Sequence, residues 1–197
     1  MKVKPSEIWE SLHVLHDYNI NPVSREVYIG GWPHSYEDEE IGVDHQMACE
    51  FIRNMTFLEN QSQDPIIIHM CTVGGDESYG MAMFDKIKSS PCHITITAYA
   101  HARSMSSVIL QAADLRRMTS NCFFMIHHGT VFAIDTYKGA KSYMDWCERG
   151  KDVMMDIYTE RCKLGAKEIE ERLDRNQEWY LTAPEALEHG FIDEIVD

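Results

Sequence analysis

The chain has 197 residues, of which 44% are hydrophobic and 25% are charged, so its length and composition are those of one globular domain. Its 32 acidic residues outnumber its 18 basic residues and give a net charge of −14, which argues against a nucleic-acid-binding protein. No apolar run approaches the ~20 residues of a membrane span, and the polar start is unlike a signal peptide, so we expect a cytoplasmic protein that does not insert into membranes.

The first third of the chain predicts two helices and a strand. A short helical stripe near the start is formed by Ile8, Leu12 and Leu15. Asn19–Pro22 ends this helix, Glu26–Ile29 predicts a strand, and the acidic stretch Glu37–Glu40 predicts a solvated loop. Apolar residues then recur every three or four positions from Val43 to Leu58, which predicts an amphipathic helix.

Strands and helices alternate in the middle of the chain. The predicted elements are a strand over 65–70, a helix around 81–87, a strand over 93–97, a helix over 104–113 and a strand over 123–127. The continuous apolar run Pro65–Met70 is typical of a strand buried in a parallel sheet. Because strand–helix–strand units form right-handed crossovers, this order predicts an α/β fold with a mainly parallel sheet.

The last third predicts a strand over 130–135 and a long helix over 137–163. This helix carries more large apolar groups than one face of an isolated domain needs, which indicates a contact between subunits, with simple core packing as the alternative. These groups are Tyr143, Trp146, Met154 and Tyr158. Thr182–Glu185 fits a capping box, Gly190 fits the C-cap of that helix, and Phe191–Val196 predicts a closing strand.

The cysteines and histidines do not predict a metal site. Six cysteines are scattered without a CxxC pair, and the ten histidines lack metal-ligand spacing. The adjacent residues His127 and His128 would point to opposite faces of a strand. This pattern favours reduced thiols in an intracellular protein that needs no metal and no cofactor.

Two turns lie where the predicted parallel strands end, at the sheet edge where ligands bind in open α/β proteins. In the first, Gly74-Gly75 would let the backbone approach a ligand and present N–H groups at a helix start. In the second, Ser104 lies between a strand and a helix, as in a nucleophile elbow. His127 ends the next strand and has a pKa suited to a general base. Singly, these residues are typical of a tight turn, a helix cap and a structural histidine, but their order predicts one site.

Five ordered segments resemble ClpP-type serine peptidases, the proteolytic subunits of Clp proteases. The segments are Arg25–Gly31, Thr72–Gly75, Ala102–Met105, Met125–His127 and Tyr180–Asp193. The resemblance implies the ClpP/crotonase-like fold, in which repeated β-β-α units form a mainly parallel sheet with a protruding handle helix. It implies a single domain over 1–197, with an N-terminal segment over 1–24 and a handle region over about 128–163.

The resemblance also implies an activity, that of a serine endopeptidase like the proteolytic subunit of ATP-dependent Clp protease, which hydrolyses unfolded polypeptides inside an oligomeric chamber. It makes Ser104 the nucleophile and His127 the general base. Backbone N–H groups of Gly75 and Met105 would form the oxyanion hole. The implied partners are polypeptide substrates, further copies of the chain in two stacked heptamers, and a Clp-type ATPase. No cofactor, metal, nucleic acid or membrane is implied.

The acid of the implied catalytic triad is ambiguous. The family has an aspartate four residues before the serine or threonine of its closing segment, and here that position is Glu178. A different alignment of the preceding residues places Asn176, or with a shift Asp174, in that role. An asparagine could orient the imidazole but could not stabilise the imidazolium by its charge.

Departures from the family keep two other functions open. Near the implied nucleophile, Arg103 stands in place of a small residue and Ser106 in place of the family's glycine, which fits a non-catalytic ClpP-like ring subunit, although the retained serine and histidine count against it. A crotonase-like acyl-CoA enzyme would share the fold and the oxyanion hole without needing that pair. Ile67 and His69 stand where the family often has tyrosines of the ATPase-docking pocket, so the usual mode of docking is in doubt.

Overall fold

The computed structural model describes residues 5–30 and 42–197, with side chains from residue 12 onward. The predicted acidic loop Glu37–Glu40 lies outside the described residues. The helices are α1 (Pro5–Tyr18), α2 (His45–Gln61), α3 (Glu77–Lys88), α4 (Met105–Gln111), α5 (Tyr137–Arg161), α6 (Ala166–Asn176) and α7 (Ala183–His189). The strands are β1 (Ile20–Asn21), β2 (Glu26–Ile29), β3 (Ile66–Thr72), β4 (Ile94–Arg103), β5 (Leu115–Thr119), β6 (Phe123–His127), β7 (Glu178–Thr182) and β8 (Glu194–Val196). No helix in this described part is both long and apolar enough to cross a membrane.

The strands form one mainly parallel sheet with β3 and β4 at its centre. The order is β1-β2-β3-β4-β5-β8, and β6 pairs with the end of β4 and with β7. Among the described strands, only the β1–β2 and β6–β7 pairs are antiparallel. The predicted α/β fold with a mainly parallel sheet is confirmed.

Strand β4 has two neighbours on one side because it bends in its middle. Residues 95–98 pair with β5, whereas residues 101–103 pair with β6. The bend lies at Ala100, whose φ of +55° is in the left-handed region, and the register against β3 shifts between Met70 and Thr72. The end of β4 therefore turns towards β6, and Ser104 directly follows the segment that β6 binds.

The core lies between the sheet and the helices packed on it. Alternate residues of β3, namely Ile66, Ile68 and Met70, are fully buried. On β6, the ring of Phe124 stacks on that of Phe191 with centroids 5.0 Å apart, which packs the closing segment of the chain against this strand. Burying a side chain of this size stabilises the fold by roughly 1.5–3 kcal/mol, so this contact helps to fix β6 in place.

Four elements, β1, β5, α6 and β7, were not predicted from the sequence, and one prediction was wrong. The segment 130–135 forms no strand, because the chain leaves the sheet after β6 and no described strand pairs with it. Its β-branched and aromatic residues face outward instead, with Phe132 80% exposed and Ile134 86% exposed. The other predicted helices and strands are confirmed, although β4 extends further than predicted, to Arg103.

Candidate active site

Ser104 occupies a strained turn between β4 and α4. Its φ of +52° lies in a region that non-glycine residues rarely adopt. Its N–H donates a hydrogen bond to the carbonyl of Met125 at 3.0 Å, which fixes the turn against β6. A strand, a strained turn and a helix in this order form a nucleophile elbow, which exposes the hydroxyl at the sheet edge.

His127 lies within hydrogen-bond distance of Ser104, with its Nε2 atom 2.7 Å from Ser104 Oγ. Because β6 pairs in parallel with the end of β4, the last residue of β6 reaches the turn that follows β4. Burial lowers the pKa of His127 below its ordinary value, the Glu178 carboxylate opposes this effect, and His128 adds to it. The ring is therefore neutral near pH 7, the state in which Nε2 can accept a proton.

The Gly74-Gly75 turn packs against the start of α4. Val43 donates its N–H to the Gly74 carbonyl at 2.5 Å and accepts a hydrogen bond from the Asp76 N–H at 2.8 Å. Since both bonds use atoms that flank Gly75, the N–H of Gly75 itself points away from Val43. A Cβ on Gly74 would lie 2.7 Å from the Cβ of Ser104, so the two turns meet only because residue 74 is glycine.

Met105 is the second residue whose N–H group was predicted for an oxyanion hole. It is the first residue of α4, and the first N–H groups of a helix have no partner within that helix. Gly75 and Met105 line the same cavity as Ser104, where their backbone N–H groups would form a pair of donors. Such a pair can stabilise the negative charge that develops on an attacked carbonyl oxygen.

One cavity of about 380 Å³ brings the predicted groups together, and it is lined by Ser104, His127, Gly75 and Met105. Helix α5 covers the cavity and contributes a further set of large side chains. This set consists of Tyr143, Trp146, Met154 and Tyr158. The sequence left a subunit contact and core packing open for these four residues, and the structure places them around the cavity. The number of large apolar residues in this helix was the available sign of a further contact. Helical periodicity shows that such residues share a face, but it does not show which part of the protein that face covers.

Glu178 lies directly opposite His127 in the antiparallel β6–β7 pair, so the two side chains share one face of the sheet. Among the described residues, no hydrogen bond joins its carboxylate to the imidazole. Its Oε2 atom instead accepts a hydrogen bond from the Tyr180 hydroxyl at 3.0 Å. Asp174 and Asn176 lie near the end of α6, and both are exposed. Of the three candidate residues, Glu178 is the one whose charge acts on the pKa of His127.

The two unusual residues near Ser104 leave the serine–histidine contact intact. Arg103 is absent from the lining of the cavity, and its Nε is buried without a hydrogen-bond partner in the part of the chain described. Ser106 is fully buried beneath the turn, and its hydroxyl binds backbone atoms. Neither residue separates Ser104 from His127.

A family model and two similar proteins all point to the same protein family. A model of the Clp protease family matches residues 39–197. The chain is 25% identical over 158 residues to the ATP-dependent Clp protease proteolytic subunit of Deinococcus radiodurans, an alignment that covers 79% of this chain and 76% of that protein. It is 31% identical over 161 residues to the ATP-dependent Clp protease proteolytic subunit 1 of Chlamydia muridarum, covering 78% of this chain and 82% of that protein. The resemblance noted in the sequence is thus confirmed over most of its length, and the chain belongs to the Clp protease family.

Proposed function

We propose that the protein is a serine endopeptidase, with Ser104 as nucleophile and His127 as general base. The observation that carries the proposal is the 2.7 Å separation of Ser104 Oγ and His127 Nε2 within a cavity. Backbone N–H groups of Gly75 and Met105 line the same cavity and are the proposed oxyanion hole. Membership of the Clp protease family supports the same class of reaction.

The proposed reaction proceeds through an acyl-enzyme. Ser104 Oγ attacks the carbonyl carbon of the scissile bond while its proton moves to His127 Nε2. The carbonyl oxygen becomes an oxyanion, which the N–H groups of Gly75 and Met105 stabilise. When the C–N bond breaks, the leaving amine takes the proton from His127. A water then gives a proton to His127 and attacks the acyl carbon, and the proton returns to Oγ as the carboxylic acid leaves.

The geometry favours this function over the two alternatives. A non-catalytic ring subunit has no need to hold an imidazole on a hydroxyl in a strained turn, because that arrangement contributes nothing to packing. A crotonase-like acyl-CoA enzyme would use the two N–H donors but not the serine–histidine pair. Fluorophosphonates react with a serine that a neighbouring base activates, so they separate the first function from the other two.

A fluorophosphonate should modify Ser104, and the rate of this labelling should fall as the pH is lowered. Because burial lowers the pKa of His127, we expect the rate to be constant near pH 7 and to halve only below about pH 6.5, the ordinary pKa of histidine. Below its pKa the ring is protonated and cannot accept the serine proton. Labelling rates across this range, with mapping of the modified peptide, provide the measurement. A rate independent of pH would remove His127 as the base, and an unlabelled protein would favour the two alternatives.

We further propose that the catalytic cavities face an internal chamber formed by two stacked heptamers, with residues 128–163 as the handle between the rings. Three large residues at the start of this region, Phe132, Ile134 and Tyr137, are at least 80% exposed. Such a concentration of exposed apolar groups is typical of an interaction surface. A chamber would admit unfolded chains, whereas folded proteins would need a Clp-type ATPase.

Light scattering of the purified protein should give the mass of a tetradecamer. The double substitution of Phe132→Ser and Ile134→Ser should reduce the mass to that of a heptamer, because it removes apolar groups from the proposed contact between the rings. The subunit itself should still fold, since these side chains take no part in the described core. Val23→Ser is a matched control, since Val23 is 87% exposed outside the handle region, and it should leave the mass unchanged. A stable monomer would refute the assembly, and a single heptamer in the unmodified protein would refute the stacking.

The proposed ATPase partner has an aromatic surface to contact. His69 lies between residues of the two flanking strands, with the Tyr28 ring stacked on its imidazole at 4.8 Å between centroids and the Tyr99 hydroxyl 2.9 Å from its Nδ1. These side chains line a largely apolar pocket together with Ile29, Gly30 and Cys71. The family often has tyrosines at positions 67 and 69, which this chain lacks. Here Tyr28 and Tyr99, on the two strands that flank β3, bring tyrosine side chains to the same pocket, which supports docking of an apolar segment of the ATPase.

A further inference from the structure

The side chain of Ser106 joins the two turns of the candidate active site. Its hydroxyl oxygen accepts a hydrogen bond from the Arg103 N–H at 2.8 Å. The same oxygen lies within donating distance of two carbonyl oxygens, that of Arg103 at 2.7 Å and that of Thr72 at 2.8 Å. Arg103 ends β4 immediately before the nucleophile, and Thr72 ends β3 just before Gly74-Gly75. One fully buried hydroxyl therefore bridges the two segments that present the proposed oxyanion donors.

The bridge lies just beyond the last backbone pair of β3 and β4, which joins Thr72 to Ala102. Ser106 and Thr72 are 34 positions apart in the chain, and the hydroxyl extends the contact between the two strands to the turns that follow them. The hydroxyl of Thr72 bonds within its own turn, to the N–H and carbonyl of Gly74 at 3.4 Å, and does not reach α4. Without Ser106, the Thr72 carbonyl and the Arg103 N–H would each lose a partner in a buried environment.

The neighbouring Ser107 offers a natural comparison. It is also fully buried, and its hydroxyl contacts the carbonyls of Ser104 at 2.6 Å and Met125 at 3.0 Å and the Tyr158 hydroxyl at 2.7 Å. These contacts attach the start of α4 to β6 and α5, on the side of His127. The two adjacent serines thus attach the nucleophile turn to opposite sides of the site.

We propose that Ser106 is a positioning residue that sets the spacing between the N–H groups of Gly75 and Met105. It touches neither the substrate nor the reacting atoms, and it acts by fixing the β3 turn relative to the start of α4. The proposal rests on the proposed serine peptidase function. In the sequence, Ser106 is only a departure from the glycine of the family, whereas the structure gives its hydroxyl a specific pair of partners in the two turns.

The test compares Ser106→Ala with Ser107→Ala, using a peptide substrate and the peptide aldehyde of the same sequence. The aldehyde carbon accepts Ser104 Oγ and its oxygen enters the oxyanion hole, so its affinity reports the geometry of the two donors. We expect Ser106→Ala to lower kcat about 10- to 30-fold, since misplacing a donor costs less than the 10²- to 10³-fold loss on removing one. Aldehyde affinity should fall by a similar factor while KM stays nearly constant. Ser107→Ala should keep the ratio of aldehyde affinity to KM of the unmodified protein.

Two further measurements separate positioning from general damage. The pH dependence of fluorophosphonate labelling should not shift in Ser106→Ala, because Ser106 contacts neither His127 nor Glu178. Ser106→Cys keeps a weaker hydrogen-bonding group of similar size, so it should recover part of the kcat, and it replaces Ser106→Ala if that variant does not fold. Folded Ser106 variants with unchanged kcat and aldehyde affinity would overturn the proposal, as would an equal loss of aldehyde affinity in Ser107→Ala. Failure of the unmodified protein to react with the fluorophosphonate would instead overturn the proposed function.

Discussion

Replacing Ser104 with alanine should abolish peptide hydrolysis, with a loss in kcat of at least about 10³-fold, because only binding and the oxyanion hole would remain. Alanine keeps the Cβ atom and the backbone N–H that bonds to Met125, so the turn should persist. Hydrolysis of a fluorogenic peptide, measured together with the melting temperature, gives the result.

The matched control is Ser120→Ala. Ser120 is exposed in the turn after β5, away from the cavity, and its loss should leave the rate unchanged. Hydrolysis by a folded Ser104→Ala variant at a rate close to that of the unmodified protein would mean that another group is the nucleophile. A parallel loss in Ser120→Ala would trace the effect to the preparation rather than to the hydroxyl.

Glu178→Gln should lower kcat by about 10²- to 10⁴-fold, the range expected when a carboxylate that stabilises a catalytic imidazolium becomes neutral. It should also shift the acid limb of the pH profile to lower pH. The sign follows from the structure, since the Glu178 carboxylate raises the pKa of His127 against the effect of burial, and removing its charge lowers that pKa further. Peptide hydrolysis measured across the acid limb gives both effects in one series.

Asp174→Asn and Asn176→Ala are the controls for this acid, because both residues are exposed near the end of α6. We expect each to keep the rate and the acid limb of the unmodified protein, with no change in assembly. A loss in Asp174→Asn alone would transfer the role to Asp174. Near-normal rates in Glu178→Gln as well would mean that Ser104 and His127 act as a dyad.

The elements that hold Ser104 could be predicted because their signals are local. The apolar run Pro65–Met70, the paired glycines and the small residues between a strand and a helix are all contiguous in the sequence. The distance between Ser104 Oγ and His127 Nε2 could not be predicted from such local signals. It depends on β6 pairing with the bent end of β4, and the order of elements alone does not specify that pairing.

The elements that the sequence did not reveal depend on distant partners. Strand β5 carries two arginines in five residues. Arg116 is buried, and its guanidinium donates to the carboxylate of Asp193, 77 positions away, and to the side-chain oxygen of Gln111. Strand β7 begins with an exposed glutamate and includes a half-exposed tyrosine, so its pattern does not stand out as a strand. Its pairing with β6 is nevertheless what places Glu178 opposite His127, and counting along an alignment could not establish that.

The bend of β4 at Ala100 has a consequence for how this protein tolerates substitution. Because main-chain pairing brings the end of β4 to β6, the approach of His127 to Ser104 uses hydrogen bonds that almost any sequence can make. Side chains around the pair can then drift over long evolutionary times, as the large residue at Arg103 illustrates, without moving the reacting atoms. Identities of only 25% and 31% to two relatives are compatible with the same main-chain pairing. The pairing that places His127 beside Ser104 therefore sets few requirements on the side chains around it.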